Sequence, residues 1–461
     1  MISFEKVNQF DPLYQFLNEY FRQTHNRLYY RKIQVVGYEN VPPKGYPVFV
    51  IANHQNAVMD PLGILYFFKD RRQPVYIARG DVFKGSGFVA RLLRFLKILP
   101  TFRSRDGGRE DIKSNLFTFD LAARFLNEGT TLCMFPEAGH QHGHYLSTFK
   151  KGFPRIAFLA AEKSGFTLDF KILPIFLYYS DLYNMGAKQL MVVGKPFAIS
   201  EFYDLYKAEP NKAYIAMNAK AREALCSLGV DITDHDRCPQ YDTVCLAARK
   251  SIVEQNGWNA AEPYSDLRSD QVVVSRLQKM DEEAHERFEE LMEKAAEYKE
   301  KLQQLKLRDW LFDEKPTTAK ILGIFALLLL TFPLFLFGMV NNIIPFKTPE
   351  LLKRKTKDPL FASTLNFCVG VILAFPVWYL LLFILVWCLS KWWIALLYML
   401  AVALTLPCYF YWKKNFVKWL GRCRFHRYER RRTPAFVRLK ELRAAMRQAV
   451  CDETSNQSCN I

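Results

Sequence analysis

Three long apolar stretches in the C-terminal third constrain this chain more than any other feature. They are Ile321–Phe346, Leu360–Leu389 and Trp392–Trp412. Each reaches the roughly 20 residues that a helix needs to cross a bilayer. We therefore expect an integral membrane protein whose polar remainder folds outside the lipid.

The charged residues around these stretches predict how the stretches are placed in a membrane. The connector Lys347–Lys357 and the segment Lys413–Arg447 are rich in Lys and Arg, whereas Ser390-Lys391 is a minimal turn. Because Lys and Arg stay on the cytosolic side, an even number of crossings is favoured. We predict a membrane region over 320–412, in which 360–412 is a spanning hairpin and the proline-interrupted 321–346 is re-entrant or in-plane.

Charge and cysteine content narrow the possible partners and compartments. The 461 residues carry a formal net charge of +17, which suggests an anionic partner such as nucleic acid, an acidic membrane surface or a phosphorylated substrate. No nucleic-acid-binding motif is recognised, and the basic tail adjoins apolar spans, so we expect no nucleic acid. Ten cysteines without a CxxC pair predict a reduced, cytosol-facing protein. The first residues lack the pattern of a cleavable secretion signal, so we expect none.

Short apolar runs alternate with helical patterns over residues 31–200. The predicted strands are Val48–Ala52, Pro74–Ala78, Thr131–Phe135, Lys171–Tyr178 and Gln189–Val193, with helices such as Asp111–Asn127 and Phe153–Lys163 between them. This alternation predicts an α/β domain with a largely parallel sheet flanked by helices.

The remaining segments are assigned from their polarity. Residues 1–30 carry an aromatic stripe and predict an amphipathic helix, docked on the domain or lying on a membrane. Residues 201–310 predict a helical extension, and 413–461 a basic cytosolic tail.

A histidine stands directly behind the predicted strand Val48–Ala52. His54 is followed six residues later by Asp60, and these are the parts of a general base and its orienting carboxylate. Pro61 favours a helix start, so Asp60 is also expected to be the N-cap of the helix that follows. On these residues alone, a simple cap and a His–Asp pair are both possible.

Four sequence blocks together resemble the glycerolipid acyltransferase family, the 1-acylglycerol-3-phosphate and glycerol-3-phosphate acyltransferases. They are Gly37–His54, the arginine-containing Ile98–Gly107, Phe135-Pro136-Glu137-Ala138-Gly139-His140, and Ile172-Leu173-Pro174-Ile175. They occur in family order, which makes the set more specific than any one block. This chain has five residues between His54 and Asp60 where the family usually has four.

The resemblance implies a mechanism and a set of site residues. His54 and Asp60 are the expected catalytic residues, and Arg103, Arg105, Glu137 and Gly139 the expected substrate-binding residues. His140, His142 and His144 alternate like a metal tract, but their glycines favour a loop, and we assign no metal and no cofactor.

The implied activity is transfer of a fatty acyl group to a glycerol-3-phosphate or lysophospholipid hydroxyl. The thioester of acyl-CoA or acyl carrier protein would be the co-substrate, and membrane lipids the further partners. The alternative is a catalytically silent, membrane-associated protein that binds or remodels lipid.

Overall fold

The chain divides into two units, which are described separately. The structure is a computed structural model that describes residues 4–80, 87–101, 109–137, 139–140, 142–356 and 358–451. The first unit comprises Met1–Asp231 and Asp358–Thr364, and the second Ile232–Lys357 and Leu365–Ile461. The first unit therefore includes helices that we predicted as part of the helical extension, together with a short segment from the membrane region.

An eight-stranded sheet forms the centre of the first unit. Its strands are β1 Lys32–Val36, β2 Val48–Ala52, β3 Val75–Arg79, β4 Ile98–Thr101, β5 Thr131–Met134, β6 Lys171–Tyr179, β7 Lys188–Val193 and β8 Phe197–Ala198. The order is β1-β7-β6-β2-β5-β3-β4, and β8 pairs with β6. The β6–β7 and β6–β8 pairs are antiparallel and the other pairs are parallel, so the predicted largely parallel α/β fold is confirmed.

The central strands explain why the sequence signal was clear. All five residues of β2 are buried, as are all four of β5. A parallel strand covered by helices on both faces reads as an unbroken apolar run. β4 was missed because its sequence, Ile-Leu-Pro-Thr, is short and contains a proline, which an edge strand tolerates.

Helices surround this sheet. They are α1 Pro12–Gln23, α2 Met59–Phe67, α3 Gly87–Phe95, α4 Arg109–Asn127, α5 Gly152–Lys163, α6 Tyr203–Ala208 and α7 Pro210–Leu228. The predicted N-terminal helix is α1, whose N-cap Asp11 accepts the Tyr14 N–H at 2.9 Å. Tyr14 and Asn18 are buried in the unit, while Phe16 is exposed.

Every regular element among the described residues of the second unit is a helix. Its α-helices are α8 Cys238–Gln255, α9 Pro263–Glu283, α10 His285–Gln304, α11 Trp310–Glu314, α12 Thr318–Lys353, α14 Phe375–Leu389, α15 Trp392–Arg431 and α16 Pro434–Cys451, while α13, Phe361–Thr364, lies in the first unit. By length and composition, Thr318–Lys353, Phe361–Leu389 and Trp392–Arg431 are long and apolar enough to cross a membrane.

The segment 321–346 lies within one continuous helix, α12, which contains Pro333, Pro345 and Pro349. The re-entrant or in-plane placement of this segment stays a prediction. Pro345 cannot donate to the carbonyl of Asn341, four residues earlier. The indole N–H of Trp378 donates to that carbonyl at 2.6 Å instead, so the proline leaves no unsatisfied acceptor there.

Candidate active site

The candidate site residues follow the carboxyl ends of neighbouring strands. β2 pairs in parallel with both β5 and β6, so the three strands end at the same edge of the sheet. His54 comes two residues after β2, Glu137 three residues after β5, and Tyr179 is the last residue of β6. Open α/β sheets bind their ligands at this edge.

His54 and Asp60 form a direct pair. Nδ1 of His54 lies 2.8 Å from Oδ2 of Asp60. Because the carboxylate accepts, the imidazole carries its proton on Nδ1. Nε2 is then the nitrogen that can take a proton from a substrate. The expected contact forms despite the longer spacing, since Ala57 turns the intervening chain with a φ of +39°.

Asp60 is fully buried and accepts four hydrogen bonds. Besides His54, its Oδ2 accepts the N–H groups of Gln55 and Asn56, each at 2.7 Å, and its Oδ1 accepts the Tyr179 hydroxyl at 2.6 Å. These donors offset the cost of removing a carboxylate from water. Because these donors reach both carboxylate oxygens, they also fix the position of the Asp60 side chain.

The expectation that Asp60 caps α2 is wrong. The helix already begins at Met59, and Val58 is its N-cap without a side-chain hydrogen bond. The N–H of Leu62 is taken by the Val58 carbonyl at 3.2 Å, which starts the helix before Asp60. The Asp60 carboxylate turns to the loop before the helix.

Tyr179 is a donor that the sequence did not reveal. Burial first, and the negative charge of Asp60 second, raise the pKa of its hydroxyl well above the usual value. The hydroxyl therefore keeps its proton and donates it to Asp60. It also accepts from Nε2 of Gln189 at 3.1 Å. Tyr179 ends an apolar strand, and nothing in that local sequence indicated that its hydroxyl binds Asp60.

Glu137 joins two loops of the site. Its Oε1 accepts the His54 N–H at 3.0 Å, and its Oε2 accepts the Ser147 N–H at 2.7 Å. Burial raises its pKa to about 7, against the lowering effect of those two hydrogen bonds. This geometry is that of a brace for the loops. The expected contact of Glu137 with substrate stays a prediction.

Two aromatic rings flank the imidazole of His54. Phe135 stacks on it with ring centroids 4.4 Å apart, and His140 meets it edge-on at 5.5 Å. Stacking on one side and an edge contact on the other restrict the rotation of His54. The second imidazole is therefore part of the site.

His140 has a partner from the distant segment Asp358–Thr364. Its Nε2 lies 2.5 Å from Oδ2 of Asp358, and its ring meets Phe361 edge-on at 5.4 Å. We did not predict this contact, because Asp358 lies at the border of an apolar stretch that we interpreted only as a membrane segment. Asp358-Pro359 stands just before a long apolar helix, but this position does not indicate a partner for Asp358.

The structure describes only some of the other predicted site residues. Arg103 and Arg105 lie outside the described residues, so their predicted binding of phosphate is untested. Gly139 lies between Glu137 and His140, and a Cβ added there would meet no atom within 4 Å. Open space beside the two histidines is compatible with substrate at Gly139. Among the described residues, no group of three or more His, Cys, Asp or Glu is placed to hold a metal ion.

Comparisons with known proteins bear on the same region of the chain. Residues 32–178 match the family model described as Acyltransferase. A 1-acyl-sn-glycerol-3-phosphate acyltransferase from Chlamydomonas reinhardtii is 28% identical over 200 residues, which make up 42% of this chain and 52% of that protein. This chain thus spans about half the length of the curated relative it matches.

Solved structures are also similar to this chain, including that of an acyltransferase. The 1-acyl-sn-glycerophosphate (LPA) acyltransferase PlsC from Thermotoga maritima has 20% sequence identity and a TM-score of 0.33, with 46% of this chain and 79% of that chain covered. Residues 32–178 hold the His–Asp pair and match an acyltransferase domain. The four sequence blocks that resemble the glycerolipid acyltransferases all lie in this range, and the match to the Chlamydomonas protein supports the resemblance.

Proposed function

We propose that this protein is a membrane-bound O-acyltransferase. It transfers a fatty acyl group from an acyl thioester to the hydroxyl of glycerol 3-phosphate or a lysophospholipid. The observation that carries this proposal is the 2.8 Å contact between His54 and Asp60, which leaves Nε2 of His54 as the base. The name of the Chlamydomonas relative supports a 1-acylglycerol 3-phosphate as the acceptor.

The reaction needs no nucleophile from the protein. An alcohol attacks a thioester slowly at neutral pH, and removal of its proton during attack accelerates the step. Nε2 of His54 takes that proton while the alcohol oxygen bonds to the thioester carbonyl carbon. When the tetrahedral intermediate collapses, the C–S bond breaks and the leaving sulfur takes the proton from His54. The products are an ester and a free thiol.

The oxyanion of the intermediate requires hydrogen-bond donors. The N–H groups of Gln55 and Asn56 are already held by Asp60, and that of His54 by Glu137. We therefore place the donors on the loop that contains Gly139, where a Cβ would meet open space. We retain Arg103 and Arg105 as the groups that bind the acceptor's phosphate, because their paired cations suit it.

We propose a thioester co-substrate, acyl-CoA or acyl carrier protein, and no further cofactor. A thioester already supplies the activation that a metal or prosthetic group would otherwise provide. The acyl chain and the acceptor bring the protein to lipid, which fits its three helices of membrane-spanning length.

We also propose that the acyltransferase domain and the C-terminal tail both lie in the cytosol. Asp358–Thr364 belongs to the first unit and directly follows the basic connector along the chain, which supports a cytosolic connector. The tail helix α16 pairs with the second unit's polar helices, as in the 2.7 Å contact of Arg438 with Glu297. The chain passes from Asp231 to these helices without an apolar span. An even number of crossings follows, with the Lys- and Arg-rich side cytosolic.

Sealed inside-out vesicles test this topology. A protease added outside should cut the tail at Arg430–Arg432, because that face of the vesicle corresponds to the cytosol. Protection of the tail, in vesicles whose lumen is shown to be sealed, would refute the proposed orientation.

A thiol-release assay tests the activity. The purified full-length protein is mixed with acyl-CoA or acyl carrier protein thioester and with a panel of acceptors. We expect His54→Ala to lower release by about 10²-fold to 10⁴-fold, the usual contribution of a general base. His285→Ala is the matched control, since His285 is exposed in the second unit and also pairs with a carboxylate, Asp281 at 2.7 Å.

Two outcomes would count against the proposal. Equal release by wild type and His54→Ala would remove His54 from the mechanism. No release by wild type with any acceptor would favour the alternative, a catalytically silent protein that binds or remodels membrane lipid.

A further inference from the structure

The connection between the first two apolar helices docks on the acyltransferase domain. The Ser363 hydroxyl donates to the Leu182 carbonyl at 2.5 Å, and the Tyr29 hydroxyl donates to the Ser363 carbonyl at 3.1 Å. Leu360 is fully buried. We call Asp358–Thr364 the docking segment. Buried apolar surface and hydrogen bonds hold it in place, so its position within the first unit is defined.

The docking segment reaches the neighbour of His54. Asp358 binds Nε2 of His140 at 2.5 Å, and Phe361 makes a T-shaped contact with the same ring. A carboxylate only accepts hydrogen bonds, so His140 carries a proton on Nε2 and presents Nδ1 as its other nitrogen. Burial alone would raise the pKa of Asp358, but the hydrogen bond from His140 and the Leu360 N–H outweigh it and lower that pKa. The pair is thus a charge-assisted contact.

His140 in turn meets His54 edge-on, at a centroid distance of 5.5 Å. Its side chain is 20% exposed, and that of His54 is 17% exposed, so both imidazoles are partly open to a ligand. Gly139, the residue before His140, has open space where a Cβ would lie. A substrate hydroxyl that reaches His54 therefore passes close to His140.

We propose that Asp358 is a positioning residue for acyl transfer. It fixes the proton of His140 on Nε2 and holds that ring against His54, so that Nδ1 of His140 binds the acyl acceptor beside the base. The acceptor's own hydroxyl or its neighbouring polar group supplies the hydrogen bond to Nδ1. This inference rests on the proposed acyl transfer, and it gives Asp358 a role in binding the acceptor but none in binding the thioester.

The test separates the two substrates. In steady-state thiol release by the full-length protein, Asp358→Asn is expected to raise the KM for the acceptor by about 10-fold to 100-fold, the range for loss of a hydrogen bond to a charged group. The KM for the acyl thioester should stay within about twofold. Asp358→Glu restores the carboxylate and should recover most of the acceptor binding.

A second histidine variant tests whether Asp358 acts through His140. His140→Phe keeps an aromatic ring and removes both nitrogens, so it should raise the acceptor KM at least as much as Asp358→Asn. In the His140→Phe background, Asp358→Asn should have no further effect. Asp281→Asn is the matched control, because it removes the carboxylate of the exposed Asp281–His285 pair in the second unit.

Loss of docking must be distinguished from loss of positioning. Ser363→Ala removes the bond to the Leu182 carbonyl and leaves Asp358 intact, so we expect an acceptor KM close to that of wild type. If Ser363→Ala raised the acceptor KM as much as Asp358→Asn does, docking alone would be the cause and the proposal would be overturned.

Failure of this inference differs visibly from failure of the proposed function. An active wild type that loses activity in His54→Ala but keeps its acceptor KM in Asp358→Asn would overturn the role of Asp358 and leave the acyl transfer standing. Equal rises of both KM values would also overturn it, since a general distortion does not select the acceptor. A wild type inactive with every acceptor would overturn both.

Discussion

Two His–Asp pairs lie side by side in the first unit, and they are held in different ways. His54 and Asp60 are six residues apart in the sequence, and their side chains are 17% and 0% exposed. His140 and Asp358 are 218 residues apart, and their side chains are 20% and 36% exposed. The first pair is fixed by buried donors of the sheet edge. The second depends on a segment that precedes a long apolar helix far along the chain.

The two environments suit different tasks. A base must keep one tautomer through every catalytic cycle, and Asp60 is held by three further donors besides His54. A group that binds the acceptor can be less rigid. Substitution of Asp60 should therefore lower kcat, whereas substitution of Asp358 should raise the acceptor KM.

Asp60→Asn should have the largest effect. The amide nitrogen would face N–H groups where the carboxylate accepts them, and His54 would lose the partner that fixes its tautomer. By analogy with the triad of serine proteases, we expect kcat for thiol release to fall by about 10³-fold to 10⁴-fold. The acceptor KM should change little, in contrast to that of Asp358→Asn.

Folding must be monitored in this variant. A buried polar group that loses its partner costs about 1–3 kcal/mol, so the thermal midpoint should also fall. A folded Asp60→Asn variant with kcat within threefold of wild type would show that Asp60 does not orient the base. The first pair would then be structural only.

Glu137→Gln probes the brace behind the first pair. The pKa of Glu137 is raised from 4.5 to about 7 in the folded protein, mainly by burial. Between these values the folded protein keeps a proton that the unfolded chain has released. The free energy of unfolding of wild type therefore falls as pH rises from about 4.5 to about 7, by about 3 kcal/mol in total, and this contribution is constant above that range.

The pH dependence is best measured as a difference. The amide introduced by Glu137→Gln does not titrate, so the thermal midpoint of wild type should fall relative to that of the variant as the pH is raised through this window, with both proteins in the same detergent. The constant cost of the substitution cancels in the slope. Parallel curves would show that Glu137 titrates alike in folded and unfolded protein.

Tyr179→Phe weakens the first pair without breaking it. The variant removes the 2.6 Å hydrogen bond to Oδ1 of Asp60 and leaves the three bonds to Oδ2. Such a bond to a charged group contributes about 1.5–3 kcal/mol, of which we expect only part to reach the transition state, so kcat should fall by about tenfold. A fall as large as that of Asp60→Asn would mean that Tyr179, not the loop, positions the carboxylate.

The two pairs also differ in how far the sequence predicted them. β2 and His54 were recognisable because a buried parallel strand is an unbroken apolar run with the histidine directly behind it. The contact with Asp60 is local, so a short spacing indicated it. The helix cap was wrong because Val58 starts the helix by its backbone alone, a possibility that side-chain preferences do not reveal.

Asp358 could not be predicted in the same way. Its partner is 218 residues away, and no local pattern encodes such a pairing. The hydropathy of the apolar stretch, which suggested a span, says nothing about the residues just before it. Tyr179 was hidden for a related reason, since a buried tyrosine at the end of a strand looks like an ordinary core residue.

Thr364→Val should have the smallest effect of these substitutions. The Thr364 hydroxyl accepts the Val58 N–H at 3.3 Å, and this weak bond ties the docking segment to the loop that carries His54. Val58 is partly exposed, so water can replace the lost acceptor. Valine keeps the shape, and we expect both kcat and the acceptor KM to stay within about threefold of wild type, as for loss of about 0.5 kcal/mol.

A fall in kcat well beyond that range, without a change in acceptor KM, would show that the docking segment acts on His54 through its loop. The two His–Asp pairs would then act together on His54, and their kinetic effects could not be separated as proposed.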